Sequence, residues 1–558
     1  MSRFPARVQS LPSKGQQLYR RCIDLLLIVV LALAALKANW RIDQLVDTNG
    51  WDETEYLTVG LEIPQAGLPK AATEVFFAPL YSLWYLVLSQ IERNPVRLVD
   101  FNFRLMAVVL PCILFAALRR ARCGLVPSVL AAFFLIINNL SLDAPTRSIH
   151  FAVMCLGAGM LGALWATERI KQVSLLGLGA VAASFARPEY ALLAMGMAVA
   201  ALAFCVTRRF QLSRGEWGWL LGTGALVAVL VTILGAPIFA GNNRSFAALC
   251  QGFSSNYVTT HPSELNGWKD HVMIVQNIFG SCKSVSQAAL NNPKMFFWHF
   301  SYNLTGWIKG VFPAFIGHRN FLLPDGSRLQ MVENILLIAI VGGHTLAGRA
   351  TLLPRIRRVM QQQPLVVGFA VCACLVSVLG VLLTLVQSRY FFPIVFMGLF
   401  AGALCLGARD EGATSESVPP ALLLFGSVVL LGMTPASSLF ERRNTSFRTA
   451  LDELPKIQLR EPTGYLEALG DDRMRIFLPG NIRFVSYRAK GEQEGFSEFM
   501  QSRNIGIVHV TSFLEQDRLY VNDPQWKEFL SSPEKFGFER RPLPWHEALY
   551  LKTASLVP

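Results

Sequence analysis

The sequence predicts a polytopic α-helical membrane protein with juxtamembrane helices at its outer surface and a small C-terminal α/β extracytoplasmic domain. Three observations carry that prediction. Hydrophobic residues make up 52% of the 558 and charged residues only 16%, against roughly 25% charged in soluble domains; the mean hydropathy is +0.39. The apolar residues gather in runs close to the about 20 residues that a spanning helix needs. Residues 435–558 instead break into short strand-like and helix-like pieces.

In chain order, Arg3, Arg7, Lys14, Arg20 and Arg21 precede the first apolar run, Cys22–Ala38, and no small-residue cleavage site follows it. The run is therefore expected to be a signal anchor with a cytoplasmic N-terminus. Further spanning runs are expected over 103–118, 126–140, 148–166, 173–186, 190–206, 219–240, 332–347, 365–386, 391–407 and 420–434, about eleven helices with the first. Pro79–Ile91 is apolar enough to tempt a twelfth. The positive-inside rule argues against it. If it does not span, Arg119, Arg120, Arg122, Arg169, Lys171, Arg208, Arg209, Arg214, Arg349, Arg355, Arg357 and Arg358 all fall in cytoplasmic loops. If it spans, all of them move outside. The segment is read as a helix on the outer membrane surface, its Tyr81, Trp84 and Tyr85 suited to the interface. The net charge of +13 is thus a signal of topology, and no nucleic-acid partner is expected.

The same parity places the first loop (39–102), the loop 241–331 and the tail 435–558 outside, together with the short turns at Asp143–Ser148, Arg187–Glu189 and Gln387–Tyr390. The expected domains are 1–434, carrying the membrane part, and 435–558. In the tail, Arg475–Leu478, Ile505–Val510 and Trp545–Leu551 read as strands and Phe496–Arg503 as a helix, without a nucleotide-binding glycine fingerprint. Of ten cysteines, Cys250 and Cys282 are the two placed outside. Disulfides persist there, and a bridge between these two is expected.

Four outward elements carry the chemistry. Asp52-Glu53-Thr54-Glu55-Tyr56 sets acids beside a membrane exit, which is costly unless they face water, protein or a cation. Pro79-Leu80-Tyr81 opens the surface helix, with Arg104 at the start of the next span. Arg187-Pro188-Glu189-Tyr190 forms a tight turn between two spans. Arg389-Tyr390-Phe391-Phe392-Pro393 enters another. Taken singly, Arg104 and Arg389 read equally well as snorkelling helix-end residues, and Arg187-Pro188-Glu189 as a helix-opening turn. Their order on one side of the membrane is harder to obtain by chance. It also differs from a transporter, which gathers polar groups near the midplane.

Together these elements resemble the GT-C superfamily of membrane glycosyltransferases, and within it the branch of protein O-mannosyltransferases and bacterial aminoarabinose transferases that modify lipid A. That branch carries an Asp-Glu pair followed by a Tyr in its first outer loop, like Asp52, Glu53 and Tyr56. A Pro-Leu-Tyr stretch, an Arg-led helix, an Arg-Pro-Glu turn and an Arg-Tyr-x-x-Pro turn follow, like Pro79-Leu80-Tyr81, Arg104, Arg187-Pro188-Glu189 and Arg389-Tyr390-x-x-Pro393. The resemblance covers residues 20–410. It departs at Phe76-Phe77-Ala78, where the family often has a basic residue. For the second acid common after the third span the candidate is Asp143, with Arg147 and His150 competing for that depth.

The resemblance implies a sugar donor linked to a polyprenyl phosphate at the outer face of the cytoplasmic membrane, and an acceptor hydroxyl on a glycan, lipid or protein. Nucleotide sugars are cytoplasmic, whereas the acids here face outward. Asp52 is the expected general base of an inverting transfer, and Glu53 orients it or shares a divalent cation (Mg or Mn) with it. Arg389 is the first candidate for the leaving phosphate, since guanidinium matches phosphate bidentately, and Arg187 the second. Tyr390, Glu189, Tyr56, Arg104, Asp143 and His150 are the further candidate substrate-binding residues. The competing readings are a transporter or flippase of a lipid-linked saccharide and a polysaccharide polymerase or ligase.

Overall fold

The computed structural model describes residues 14–40, 52–67, 78–138, 140, 148–237, 244–261, 265–268, 270–316, 349–407, 419–434, 446–459, 461–467, 476–478, 480–491, 493–543 and 547–556. The expected run at 332–347 and the candidate Asp143 lie outside them. Two compact bodies emerge. One takes residues 1–39, 68–81 and 104–436, the other 40–67, 82–103 and 437–558.

The first body is helical and is that of a multi-pass membrane protein. Among the described residues, six helices are long and apolar enough to cross a membrane: Pro95–Arg120, Ser148–Trp165, Pro188–Thr207, Arg214–Leu234, Pro364–Leu383 and Ser388–Gly407. Leu125–Ile137, Arg169–Ser184 and Pro420–Met433 are shorter apolar helices, and Lys14–Ala38 contains the expected anchor. Helix starts follow local chemistry. Ser213 and Glu216 form a reciprocal capping box at Arg214–Leu234, and Pro364 occupies a first-turn position whose N–H would have no partner. Small residues set the closest approach. A Cβ on Gly159 or Gly179 would lie 3.0 Å from the other's Cα, so helices Ser148–Trp165 and Arg169–Ser184 meet backbone to backbone. Side chains then join helix ends. Arg119 Nε lies 2.9 Å from Asp24 Oδ1, and Lys37 Nζ donates to Leu431 O at 2.6 Å.

The stretch read from sequence as the outer loop 241–331 is helical over its described part: Arg244–Thr260, His271–Phe279, Val285–Asn291 and Pro293–Ile316. Leu249, Phe253, Ile274, Phe279 and Ala288 give the first three a core of their own. The last helix continues into the bundle, where Asn138 Nδ2 donates to Ala314 O at 3.0 Å. Cys250 is buried in that small core and Cys282 packs against it, and both are free thiols. The bridge expected from the sequence is not formed in this structure. Burial pushes the Cys250 thiol up to about 12, with Cys282 adding to it, so little of the reactive thiolate is present near neutrality. Because both thiols sit on one small core, slow closure is the expected outcome in an oxidising compartment. Peptide mapping without reductant should then find the two joined. Free thiols at both positions after prolonged oxidation would leave the loop held by packing alone.

The second body contains a five-stranded mixed sheet, β1 (Thr463–Glu467), β2 (Ile482–Ser486), β3 (Ile505–Val510), β4 (Phe538–Pro542) and β5 (Ala548–Lys552), in the order β2-β1-β3-β5-β4. β1 runs parallel to both β2 and β3; β5 is antiparallel to β3 and β4. Phe496, Phe499, Val508, Trp526, Phe529 and Tyr550 form its core. Ile505–Val510 and the helix at Phe496 stand where the sequence reading put them. Residues 476–478 do not form the expected strand; the neighbouring edge is β2, whose Phe484 and Val485 reach the interior.

The same body holds helix Asp52–Ala66, most of Pro79–Ser89 and the first residues of Pro95–Arg120. Helix Asp52–Ala66 lies tightly on Pro79–Ser89, since a Cβ on Gly60 would come 2.6 Å from Ser82 O. Tyr85, read from sequence as an interface aromatic, is wholly buried, as is Tyr81 in the other body. Tyr85 finds a protein partner for its hydroxyl, and that is why it turns inward. Arg448, on the tail's first helix Ser446–Glu453, grips Asp100 with both terminal nitrogens, at 2.6 and 2.9 Å.

Candidate active site

The acid-bearing candidates belong to the second body. Asp52 is the first residue of helix Asp52–Ala66, and only its backbone position is described. Glu53 follows and is buried. Tyr85 donates its phenolic hydroxyl to Glu53 Oε1. Asn102 Nδ2 reaches the same Glu53 oxygen at 3.4 Å and the Tyr85 hydroxyl at 2.9 Å, while Trp84 Nε1 donates to Asn102 Oδ1 at 2.8 Å. Glu53 is thus fixed by partners from two other helices. Such a buried network, once its members are satisfied, rigidifies its surroundings. Tyr56, one turn on from Asp52, is buried.

The basic candidates meet in the first body. The turn Arg187-Pro188-Glu189-Tyr190 opens helix Ala191–Thr207, and Ser388–Phe391 is a single 3₁₀ turn opening helix Phe392–Gly407. Arg187 Nε pairs with Glu189 Oε1 at 2.9 Å. Both guanidinium groups lie over the Tyr390 ring, Arg187 at 5.0 Å and Arg389 at 5.3 Å from its centroid, within the range of a cation–π contact. Tyr190 fastens the turn to the adjoining helix through Ser377 Oγ at 2.9 Å. Arg187, Glu189, Tyr190, Arg389 and Tyr390, more than 180 residues apart in sequence, therefore form one cluster holding two cations and one carboxylate.

His150 lies beside this cluster. Its ring stacks on Phe392 at 4.0 Å between centroids, and its Nε2 is 3.0 Å from Leu140 O. His150 is buried against Phe392, the residue that follows the turn carrying Arg389. Arg104 sits on helix Pro95–Arg120, partly buried. Sequence reasoning missed Asn102, Ser377 and the pairing role of Tyr85. Asn102 carried a usable signal, an amide at the mouth of an apolar run. Ser377, inside an apolar helix, carried none.

Among the described residues no group of three or more His, Cys, Asp or Glu could hold a metal ion; the Asp52 side chain lies outside them, and Glu53 Oε1 accepts from Tyr85 and Asn102.

No family model and no curated protein matches the sequence. Solved structures do match. The archaeal oligosaccharyltransferase AglB from Archaeoglobus fulgidus, in complex with an inhibitory peptide and a dolichol-phosphate, aligns over 96% of this chain and 75% of its own, at 12% identity and a TM-score of 0.43. A second structure of an Archaeoglobus fulgidus oligosaccharyltransferase, with Zn and sulfate, aligns over 94% and 73% at 13% identity and a TM-score of 0.38. ArnT from Cupriavidus metallidurans, bound to undecaprenyl phosphate, aligns over 96% and 99% at 12% identity and a TM-score of 0.36. At such values no residue's role is carried across, and the roles below rest on this chain's own side chains. These matched proteins are GT-C membrane glycosyltransferases, the superfamily that the motifs of this chain resemble.

Proposed function

We propose that the chain is an inverting glycosyltransferase that moves a sugar from a polyprenyl-phosphate donor to an acceptor hydroxyl at the outer face of the cytoplasmic membrane. The observation that carries this reading is the pair of guanidinium groups, Arg187 and Arg389, on the one Tyr390 ring. A glycosyl phosphodiester carries one negative charge, and the polyprenyl phosphate that leaves approaches two. Cations fixed where that extra charge appears favour the transition state over the bound donor. The acceptor O–H proton passes to the Asp52 carboxylate, the acceptor oxygen bonds to the anomeric carbon, and the bond from that carbon to the phosphate oxygen breaks. Glu53, held by Tyr85 and Asn102, keeps the first turn of the acid-bearing helix in place. Residues 1–434 carry the transferase, and 435–558 form the extracytoplasmic domain.

The direct test supplies purified protein with lipid-linked sugars extracted from its source membrane. Release of polyprenyl phosphate together with an acceptor product of inverted anomeric configuration is the expected result. Movement of the intact lipid-linked sugar between leaflets without release would favour the flippase reading.

The reading also needs Arg187 and Arg389 outside. Its supports are the pairing of Asp24 with Arg119 and of Lys37 with Leu431. These contacts join the start of the first span to the end of the second, and the ends of the first and last, a pattern that fits an odd number of spans. Reporter fusions after residues 95 and 440 should both report the outside. A cytoplasmic signal at either point would reverse the parity and remove the site.

A further inference from the structure

Helix Pro293–Ile316 lays one face along the segment that delivers Arg389 and Tyr390. His299, Asn303, Gly306 and Gly310 recur at the three- and four-residue spacing of a single helix face. Asn303 Nδ2 donates to Leu382 O at 3.0 Å and to Thr384 O at 3.3 Å. These carbonyls lie at the end of helix Pro364–Leu383, where no partner remains within the helix. A Cβ on Gly306 would sit 3.3 Å from Val386, and one on Gly310 2.7 Å from the Phe391 ring. The helix thus meets the chain at 382, 384, 386 and 391, on both sides of Arg389 and Tyr390.

The face is itself braced. Asn256 Nδ2, from helix Arg244–Thr260, donates to Asn303 Oδ1 at 2.8 Å and lies 3.2 Å from His299 Nδ1; Asn303 Nδ2 lies 3.2 Å from His299 Nε2. All three side chains are almost fully buried. His299 also bonds to the backbone at Leu383 and Thr384, and burial drives its ring down to about 4, so it serves as a neutral imidazole.

We infer that Asn303, braced by Asn256 and His299, is a positioning residue for Arg389: it fixes where the chain leaves helix Pro364–Leu383 and so where the guanidinium meets an anionic phosphate. This rests on the proposed function, because it assigns a purpose to the same arginines. A merely structural cap would cost stability alone. A positioning residue couples to Arg389.

The test measures binding of a polyprenyl phosphate, against the uncharged polyprenol, to the purified full chain. It uses Asn303→Leu, Arg389→Ala and the double variant. Asn303→Leu is expected to weaken phosphate binding by about tenfold, the order of one well-placed hydrogen bond to a charged group. Polyprenol binding should stay unchanged. The double variant should bind no worse than Arg389→Ala, since the two losses share one cause. Should Asn303→Leu fail to fold, Gly306→Val, which leaves the cap intact and pushes on Val386, carries the same comparison. Losses that simply add, or equal weakening of phosphate and polyprenol, would overturn the inference while leaving the proposed function in place. Unaltered phosphate binding in Arg389→Ala would overturn both.

Discussion

Asp52→Asn is expected to lower the rate of transfer by about 10²- to 10⁴-fold, the usual share of a positioned proton acceptor, with the chain still folded. The substitution is close to isosteric and removes the acceptor function without removing bulk. Asp52 opens its helix, so losing its charge costs that helix only about 0.3–1 kcal/mol of dipole stabilisation. The neighbouring structure has its own support: Glu53 stays tied to Tyr85 and Asn102, and Gly60 keeps helix Asp52–Ala66 on Pro79–Ser89. A fall in kcat with KM for the donor little changed would mark an interaction used in the transition state. Glu53→Gln should be the milder variant, because the amide keeps an acceptor oxygen for Tyr85. Near-normal turnover in Asp52→Asn, or a larger loss in Glu53→Gln, would move the base to Glu53.

Arg389→Lys is the second large effect. It keeps the charge and loses the planar fork that meets two phosphate oxygens at once. It also alters the cation–π contact with Tyr390, where the guanidinium carbon now lies 5.3 Å from the ring centroid. A loss of about 1.5–3 kcal/mol, the scale of one hydrogen bond to a charged group, corresponds to roughly 10- to 150-fold in kcat/KM. Arg187→Lys should cost less, since Arg187 is already engaged by Glu189. Unchanged donor affinity and rate in Arg389→Lys would reduce that residue to a helix-end cation.

Much of the helical body was legible because hydropathy acts over a whole span. Leu125–Ile137, Ser148–Trp165 and Phe392–Gly407 stand within a few residues of their apolar runs. The Arg187 and Arg389 turns were legible for a different reason, since charges at the mouths of apolar runs are conspicuous. Their meeting on Tyr390 was not, because no local pattern reports a contact across 200 residues. The helices within 241–331 were passed over because Asn256, His299 and Asn303, which break their apolar faces, find their partners only once the helices are packed. β1 was missed for a related reason. Thr463-Gly464-Tyr465-Leu466-Glu467 shows no polar alternation, being buried along its whole length with strands on both sides.

The grip of Arg448 on Asp100 spans 348 positions of chain. Synthesis runs from the N-terminus, so helix Asp52–Ala66 emerges early and Ser446–Glu453 only after the apolar spans have been inserted. A ribosome that stalls late would leave a protein threaded through the bilayer whose acid-bearing body lacks its sheet and its ion pair. Such a fragment would hold the arginines of the Tyr390 cluster and the contacts of Glu53 with Tyr85 and Asn102, yet lack the tail's grip on Asp100. Completion of this body therefore waits for the last part of the chain to be made.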